Sequence, residues 1–316
     1  LFPEESEPAT AQTSTCRQLT DEELRRIVLE LPRRPLMAGT EGVRLSLAGA
    51  QNKLPVVVQG GDLALPLGDT PSTHILKPEP DAFPGLALNE WLSMTLAKAM
   101  ELNVASIEYR VIGEKPCVLV QRYDRRIDRN GSTARIHQED FCQALGLPPE
   151  RKHQTEGGPT IRDCVLLLRD WSTAPALDIP TFIHGLIFNV LIGNADAHGK
   201  NYSFLYADAE RRLAPFYDLV STVAWPEISR HAAMKIGGCD SINVFSTGDW
   251  KKMATTAGLG WPILRERMVD ACQSLPAKLD EIRGPALSLN SRVAQQLDEL
   301  LRERSLNLLK AIVQQR

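Results

Sequence analysis

The chain has 316 residues, 43% of them hydrophobic and 24% charged, which is room for one large domain or two lobes around a real core. A net charge of -3 excludes an overall electrostatic bias toward nucleic acid or anionic membrane. The six cysteines (Cys16, Cys117, Cys142, Cys164, Cys239, Cys272) form no CxxC pair, which argues against a zinc site or disulfide framework and for reduced cytosolic thiols.

Residues 1–19 are rich in Glu, Pro, Ser and Thr, lack an apolar period and read as a linker. The chain opens Leu1-Phe2-Pro3, so the first residues of the natural protein are expected to be absent. Thr20 and Glu23 form a capping box, and Leu24, Ile27, Val28 and Leu31 line the helix that follows, up to Pro32. Leu54 to Val58, Asp62 to Leu67 and His74 to Lys77 are short β-leaning runs separated by Gly60-Gly61 and by Gly68 to Pro71, which suggests a small antiparallel sheet. Asn89 to Met100 predicts a helix. Ile107 to Ile112 and Pro116 to Arg122 predict a strand pair.

From Tyr123 the texture turns helical, with helices expected over Glu139 to Leu145, Ile161 to Trp171 and Pro180 to Ile192, the last with Pro180 in its first turn. Tyr202 to Tyr206 and Leu213 to Phe216 predict a hairpin. The remainder is helical and ends in a long segment from Ser291 to Gln315. The expected class is α+β with two lobes: a lead-in over 1–40, a sheet-rich lobe over 41–122 and a helical lobe over 123–316, with a ligand in the cleft. The longest apolar stretch, Phe182 to Ile192, is broken by His184, Gly185 and Asn189 and is too short to span a bilayer. No secretory signal is visible, so a cytoplasmic location is expected.

Chemistry concentrates in Gly193-Asn194-Ala195-Asp196-Ala197-His198-Gly199-Lys200-Asn201, a polar loop after an apolar helix, and in Tyr217-Asp218 after the following strand. Phosphoryl transfer needs a carboxylate to orient or deprotonate the attacking hydroxyl, hard oxygens to hold magnesium, and cations with backbone amides to neutralise the moving group. Asp196, Asn201 and Asp218 supply those oxygens, and Lys200 adds charge. Asp196 and Asn201 stand five apart (201 minus 196), the Asp-to-Asn offset of the protein-kinase catalytic loop. Such a loop is also what a plain turn with Asx caps looks like. Upstream, Ser46-Leu47-Ala48-Gly49-Ala50-Gln51-Asn52-Lys53 offers small residues through which backbone amides can reach phosphate. Lys77 ends a strand from which it would reach the α- and β-phosphates, and Glu90 on the next helix would pair with it. The bland alternatives are a solvated lysine and a helix N-terminal acid.

Taken together, these segments resemble the HipA family of serine/threonine kinases, the toxins of bacterial toxin–antitoxin modules. Further matching segments are Phe83-Pro84-Gly85-Leu86 with Asn89-Glu90, Val118 to Arg125, His137-Gln138-Glu139-Asp140 and Glu156-Gly157-Gly158-Pro159, in the family's order over roughly residues 40 to 240. The resemblance implies a two-lobed kinase-like fold with ATP and Mg2+ in the cleft. It implies Asp196 as catalytic base and Asn201 and Asp218 as metal ligands. ATP contacts are implied for Ala48, Gly49, Ala50, Gln51, Lys53, Lys77, His198, Lys200 and Asn201, with Gln121 and Tyr123 on the hinge near adenine and Glu90 in support. Ser46 is implied as an autophosphorylation site, where added negative charge would eject the loop from the phosphate site. Implied partners are a DNA-binding antitoxin and a protein substrate, an aminoacyl-tRNA synthetase being one candidate. DNA would be met only through the antitoxin, and no membrane is involved. Two features depart from the family: Gln121 replaces a common acidic residue, and many relatives carry a further N-terminal subdomain. The alternatives are a small-molecule kinase on the same scaffold and a non-catalytic corepressor partner of a DNA-binding protein.

Overall fold

The computed structural model describes residues 15–31, 52–128 and 132–313. Its N-terminal part is a six-stranded antiparallel sheet. The strands are β1 (Cys16–Gln18), β2 (Leu54–Gln59), β3 (Asp62–Pro66), β4 (His74–Pro78), β5 (Ile107–Ile112) and β6 (Lys115–Gln121), in the order β1-β3-β2-β4-β6-β5. The expected runs became strands nearly residue for residue. β1 corrects the reading of residues 1–19 as linker throughout: Cys16, Arg17 and Gln18 pair with Pro66, Leu65 and Ala64 at the sheet edge. Three residues without an apolar period carry no signal, so their conformation comes from the edge they extend.

Period-2 alternation divides the sheet between two cores. Cys117 and Leu119 join Leu54, Val56 and Leu76 under helix α1 (Asp21–Glu30), against Ile27, Val28 and Leu31. Val118 and Val120 face the other way, into the core shared with helix α2 (Leu86–Ala99) and the helical part. The predicted Thr20–Glu23 capping box starts α1.

Hairpin β7 (Arg125–Ile127) with β8 (Thr133–Arg135) and strand β9 (His137–Asp140) open the second part, where helix was expected. Asp140 caps a short helix, α3 (Phe141–Ala144), so the expected helix over Glu139 to Leu145 starts two residues late, Glu139 and Asp140 being strand. β9 is recruited by β10 (Ser203–Ala207), which also pairs with β11 (Glu210–Leu213). The hairpin thus closes earlier than predicted, and Phe216 makes an isolated parallel bridge to Val104. Helix α4 (Ile161–Trp171) matches its prediction. Helix α5 runs Pro175–Ile192, with Pro175 rather than Pro180 in the first turn. At 18 residues it is long and apolar enough to cross a membrane, but 61% of it is buried inside the protein, as fits a core helix. Hairpin β12 (His231–Ile236) with β13 (Cys239–Ser241) interrupts the region read as helical. Helices α6 (Thr247–Ala257), α7 (Trp261–Leu289) and α8 (Ser291–Val313) complete the fold. The class is the expected α+β, sheet-rich first and helical second.

Candidate active site

Sheet register brings the first group together. Lys77 pairs with Val118 across β4 and β6, and paired residues share a face. Val118 faces the core of α2, so Lys77 does too, while its neighbour Leu76 faces α1. On that face Lys77 Nζ donates to Glu90 Oε1 at 2.6 Å and to Asp218 Oδ1. Lys77 is 7% exposed and Glu90 1%, so this cluster is closed to bulk water except through Asp218, whose side chain is 45% exposed.

Burial alone would push the Lys77 ammonium down, but the Asp218 and Glu90 carboxylates overcome it and raise Lys77 above the usual lysine range. Burial pushes Glu90 up, with Lys77 opposing. Asp218 is pushed up by burial yet ends below its usual range, held there by Lys77, with Lys53 and His198 adding to the pull. Lys53 is lowered by burial, while Asp218 and Glu90 draw it the other way. Asp218 also has φ +55°, a left-handed backbone that non-glycine residues rarely adopt and that concentrates at functional sites.

Helix α2 is tied to the segment after Asp218 by Asn89. Its Oδ1 accepts from Ser221 N–H at 2.8 Å and its Nδ2 donates to Ser221 C=O at 3.1 Å, with both residues buried. Thr222 then reaches the loop after α5: its Oγ1 accepts from Ala195 N–H at 2.8 Å and donates to Gly193 C=O at 3.0 Å. Gly193 ends α5 with φ +71°, and a Cβ there would meet Val223 at 2.4 Å.

In that loop the backbone N–H of Asp196 donates to Asn194 Oδ1 at 3.1 Å. Its carboxylate faces two histidines, His153 Nε2 at 3.0 Å and His198 Nε2 at 3.9 Å from Oδ1. Burial pushes His198 down to about 4 against the attraction of Asp196, so its ring is neutral. Asn201 lies in the 3₁₀ turn Gly199–Asn201, its Oδ1 accepting from His198 N–H at 3.0 Å. Gly199 is required by space, since a Cβ would stand 2.5 Å from Pro159 and 2.8 Å from Cys142 Sγ. The Lys200 carbonyl accepts from Tyr217 Oη at 2.7 Å.

Tyr123 stacks on Tyr217 with ring centroids 5.7 Å apart, and its hydroxyl donates to Gln138 at 2.5 Å. The N–H groups of Gln121 and Arg122 are taken by the carbonyls of Ser106 and Thr73. Ser46, Ala48, Gly49, Ala50 and Gln51 lie outside the described residues. His153, Asn89 and Thr222 were not singled out from sequence. Asn89 stood beside Glu90 in a quoted segment, and His153 three residues before another, but only the fold shows what they touch.

The HipA-like C-terminal domain model matches residues 45–279. The chain belongs to this family. Within the HipA-like family, the candidate kinase Y4mE of Sinorhizobium fredii is 48% identical over 277 residues, which cover 87% of this chain and 66% of that protein. The serine/threonine-protein kinase toxin HipA of Shewanella oneidensis is 34% identical over 252 residues, covering 76% of this chain and 57% of that one. The chain thus spans about three fifths of the length of these relatives. In structure it is similar to HipA in the Shewanella oneidensis complex of HipA, HipB and operator DNA. The TM-score is 0.85 at 27% identity, over 99% of this chain and 75% of that one. The kinase-like fold expected from the HipA resemblance is therefore present.

Proposed function

We propose that this chain is an ATP- and magnesium-dependent serine/threonine protein kinase of the HipA toxin type. The observation that carries the reading is the buried Lys77–Glu90 pair joined to Asp218, with Asp196 and Asn201 on the adjoining loop. A protein folds a lysine and two carboxylates into such a place at a desolvation cost, and phosphate handling is a use that justifies it. In this reading Lys77 binds the ATP phosphates, with Glu90 fixing its position. Asp196 accepts the proton of the substrate hydroxyl as that oxygen bonds to the γ-phosphorus and the bridging bond to ADP breaks. Lys53, His198 and Lys200 line the phosphate end, and Gln121 and Tyr123 the adenine end.

The donor chemistry suits magnesium. Among the described residues no group of three His, Cys, Asp or Glu side chains forms a metal cage. Magnesium prefers one or two hard protein oxygens with phosphates and water completing its shell. Asp218 offers a half-exposed carboxylate, and Asn201 Oδ1 keeps a lone pair beyond the one given to His198 N–H. These two residues would hold the ion, which supplies charge neutralisation at the phosphates.

Regulation by phosphorylation of Ser46 and by a HipB-like DNA-binding antitoxin belongs to the same proposal, the latter supported by the complex in which the similar HipA was solved. The test is intact mass before and after Mg-ATP, with the modified residue mapped. Phosphate on Ser46, absent from Asp196→Asn protein that still binds nucleotide, is the expected result. Undiminished transfer by Asp196→Asn overturns the role of Asp196, and absence of any ATP turnover overturns the kinase reading.

A further inference from the structure

We infer that His153 is a positioning residue for Asp196, a doubly donating bridge between Asp196 and Glu156. The inference deepens the kinase reading, on which its catalytic consequence rests. Asp196 sits on a loop with 58% of its side chain exposed. A carboxylate in that setting rotates freely unless something holds it. His153 is what touches it: Nε2 lies 3.0 Å from Asp196 Oδ1, and Nδ1 lies 2.9 Å from Glu156 Oε2.

Ionised carboxylates accept hydrogen bonds and cannot donate them, whereas a neutral imidazole carries one N–H and one lone pair. Satisfying both contacts therefore requires an N–H on each ring nitrogen, so His153 is an imidazolium in this arrangement. The titratable groups around it are Glu156, Asp196, Lys152 and the neutral His198, whose ring stands edge-on at 5.3 Å. Two histidines flanking one aspartate thus do different work, one cationic and half-buried, the other neutral and buried.

The segment that presents His153 is itself anchored. The His153 carbonyl accepts from Glu156 N–H at 2.9 Å and Gly158 N–H at 2.8 Å, closing a tight turn. Gln154 Oε1 accepts from Lys235 N–H at 2.8 Å on β12, and Pro159 packs where Gly199 leaves space. The ring is thereby fixed relative to the loop it contacts. With Oδ1 engaged by His153 and the Asp196 N–H by Asn194, Oδ2 is the oxygen left to receive the substrate proton.

Two measurements test this. In steady-state phosphorylation, His153→Leu should lower kcat by about ten- to a hundredfold, the scale of a misplaced catalytic group, with KM for ATP unchanged. His153→Gln, which keeps one donor, should recover part of that loss. Glu156→Gln should reduce kcat in the parent protein and have no further effect in the His153→Leu background, as expected if it acts through the ring. Unchanged kcat in His153→Leu overturns the inference while leaving the kinase reading intact. Independently of turnover, ring-nitrogen NMR of 15N-histidine-labelled protein, with the His153 signals assigned through His153→Gln, should show both nitrogens protonated. A neutral tautomer there overturns the bridge even if the protein transfers no phosphate.

Discussion

Lys77→Met removes the cation from between two carboxylates and exposes the logic of the buried cluster. The two carboxylates respond differently. Asp218, with 45% of its side chain exposed, turns toward water and recovers most of its solvation. Glu90 is 1% exposed and has no such route. The loss is therefore dominated by one uncompensated buried carboxylate, about 3–5 kcal/mol at neutral pH. Burial already raises Glu90 with its partner in place, and removing Lys77 takes away the opposing pull. A carboxyl raised in the folded state above its unfolded value destabilises the fold above the unfolded value and ceases to do so once both states are protonated. The deficit of Lys77→Met should accordingly shrink as the pH falls from 8 toward about 4.5, where an unfolded glutamate titrates. In the parent protein Lys77 has the opposite role: its raised ammonium contributes stability present below the unfolded lysine value and lost as pH rises through the higher folded one. Urea unfolding of both proteins across this range, compared at equal m-values, makes the measurement. A deficit under about 1 kcal/mol, or one that grows on acidification, refutes the assignment of the cost to Glu90.

Other substitutions probe the supports of the site. Asn89→Leu leaves the buried N–H and C=O of Ser221 without their partners and should cost about 2–4 kcal/mol by urea unfolding, with weakened ATP binding. Gly199→Ala forces a methyl against Pro159 and Cys142 and should destabilise by about 1–3 kcal/mol while lowering phosphoryl transfer, read from the same unfolding curves and a kinase assay. Arg304 on α8 donates to the carbonyls of Val190, Leu191 and Ile242 and to Asn243, clamping the end of α5 just before the loop that carries Asp196. Arg304→Met should cost about 2–4 kcal/mol and increase hydrogen exchange in residues 190–196. His198 is held neutral by burial with its value near 4, so stability should decline as pH falls from about 6.5 toward that value and level off below it. His198→Gln should flatten that limb of the stability–pH curve.

Much of the scaffold was legible in the chain because local rules governed it. The Thr20–Glu23 capping box, the alternating strands of the first sheet and the amphipathic Ile161–Trp171 helix each follow from neighbours in sequence. The five-residue offset of Asp196 and Asn201 and the chemistry of Asp218 likewise needed no fold to be noticed. What sequence misassigned were elements whose conformation is borrowed: β1 from the edge of β3, β9 from β10, and the early part of α5, which continues back through Pro180 to Pro175. A strand that exists because a distant strand offers it hydrogen bonds has no local signature.

The side chains of the site divide in the same way. Residue types alone named Lys77, Glu90 and Asp218 as candidates, since hard oxygens and a lysine are what phosphate chemistry requires. Only the tertiary structure decided that Lys77 and Asp218, 141 positions apart, meet at Glu90, that Asn89 grips the Ser221 backbone, and that His153 lies against Asp196. Those contacts depend on which face of β4 a residue takes, one face packing under α1 and the other into the core shared with α2. That is a matter of long-range burial, because a side chain's nearest neighbours in a folded protein are set by excluded water and not by distance along the chain.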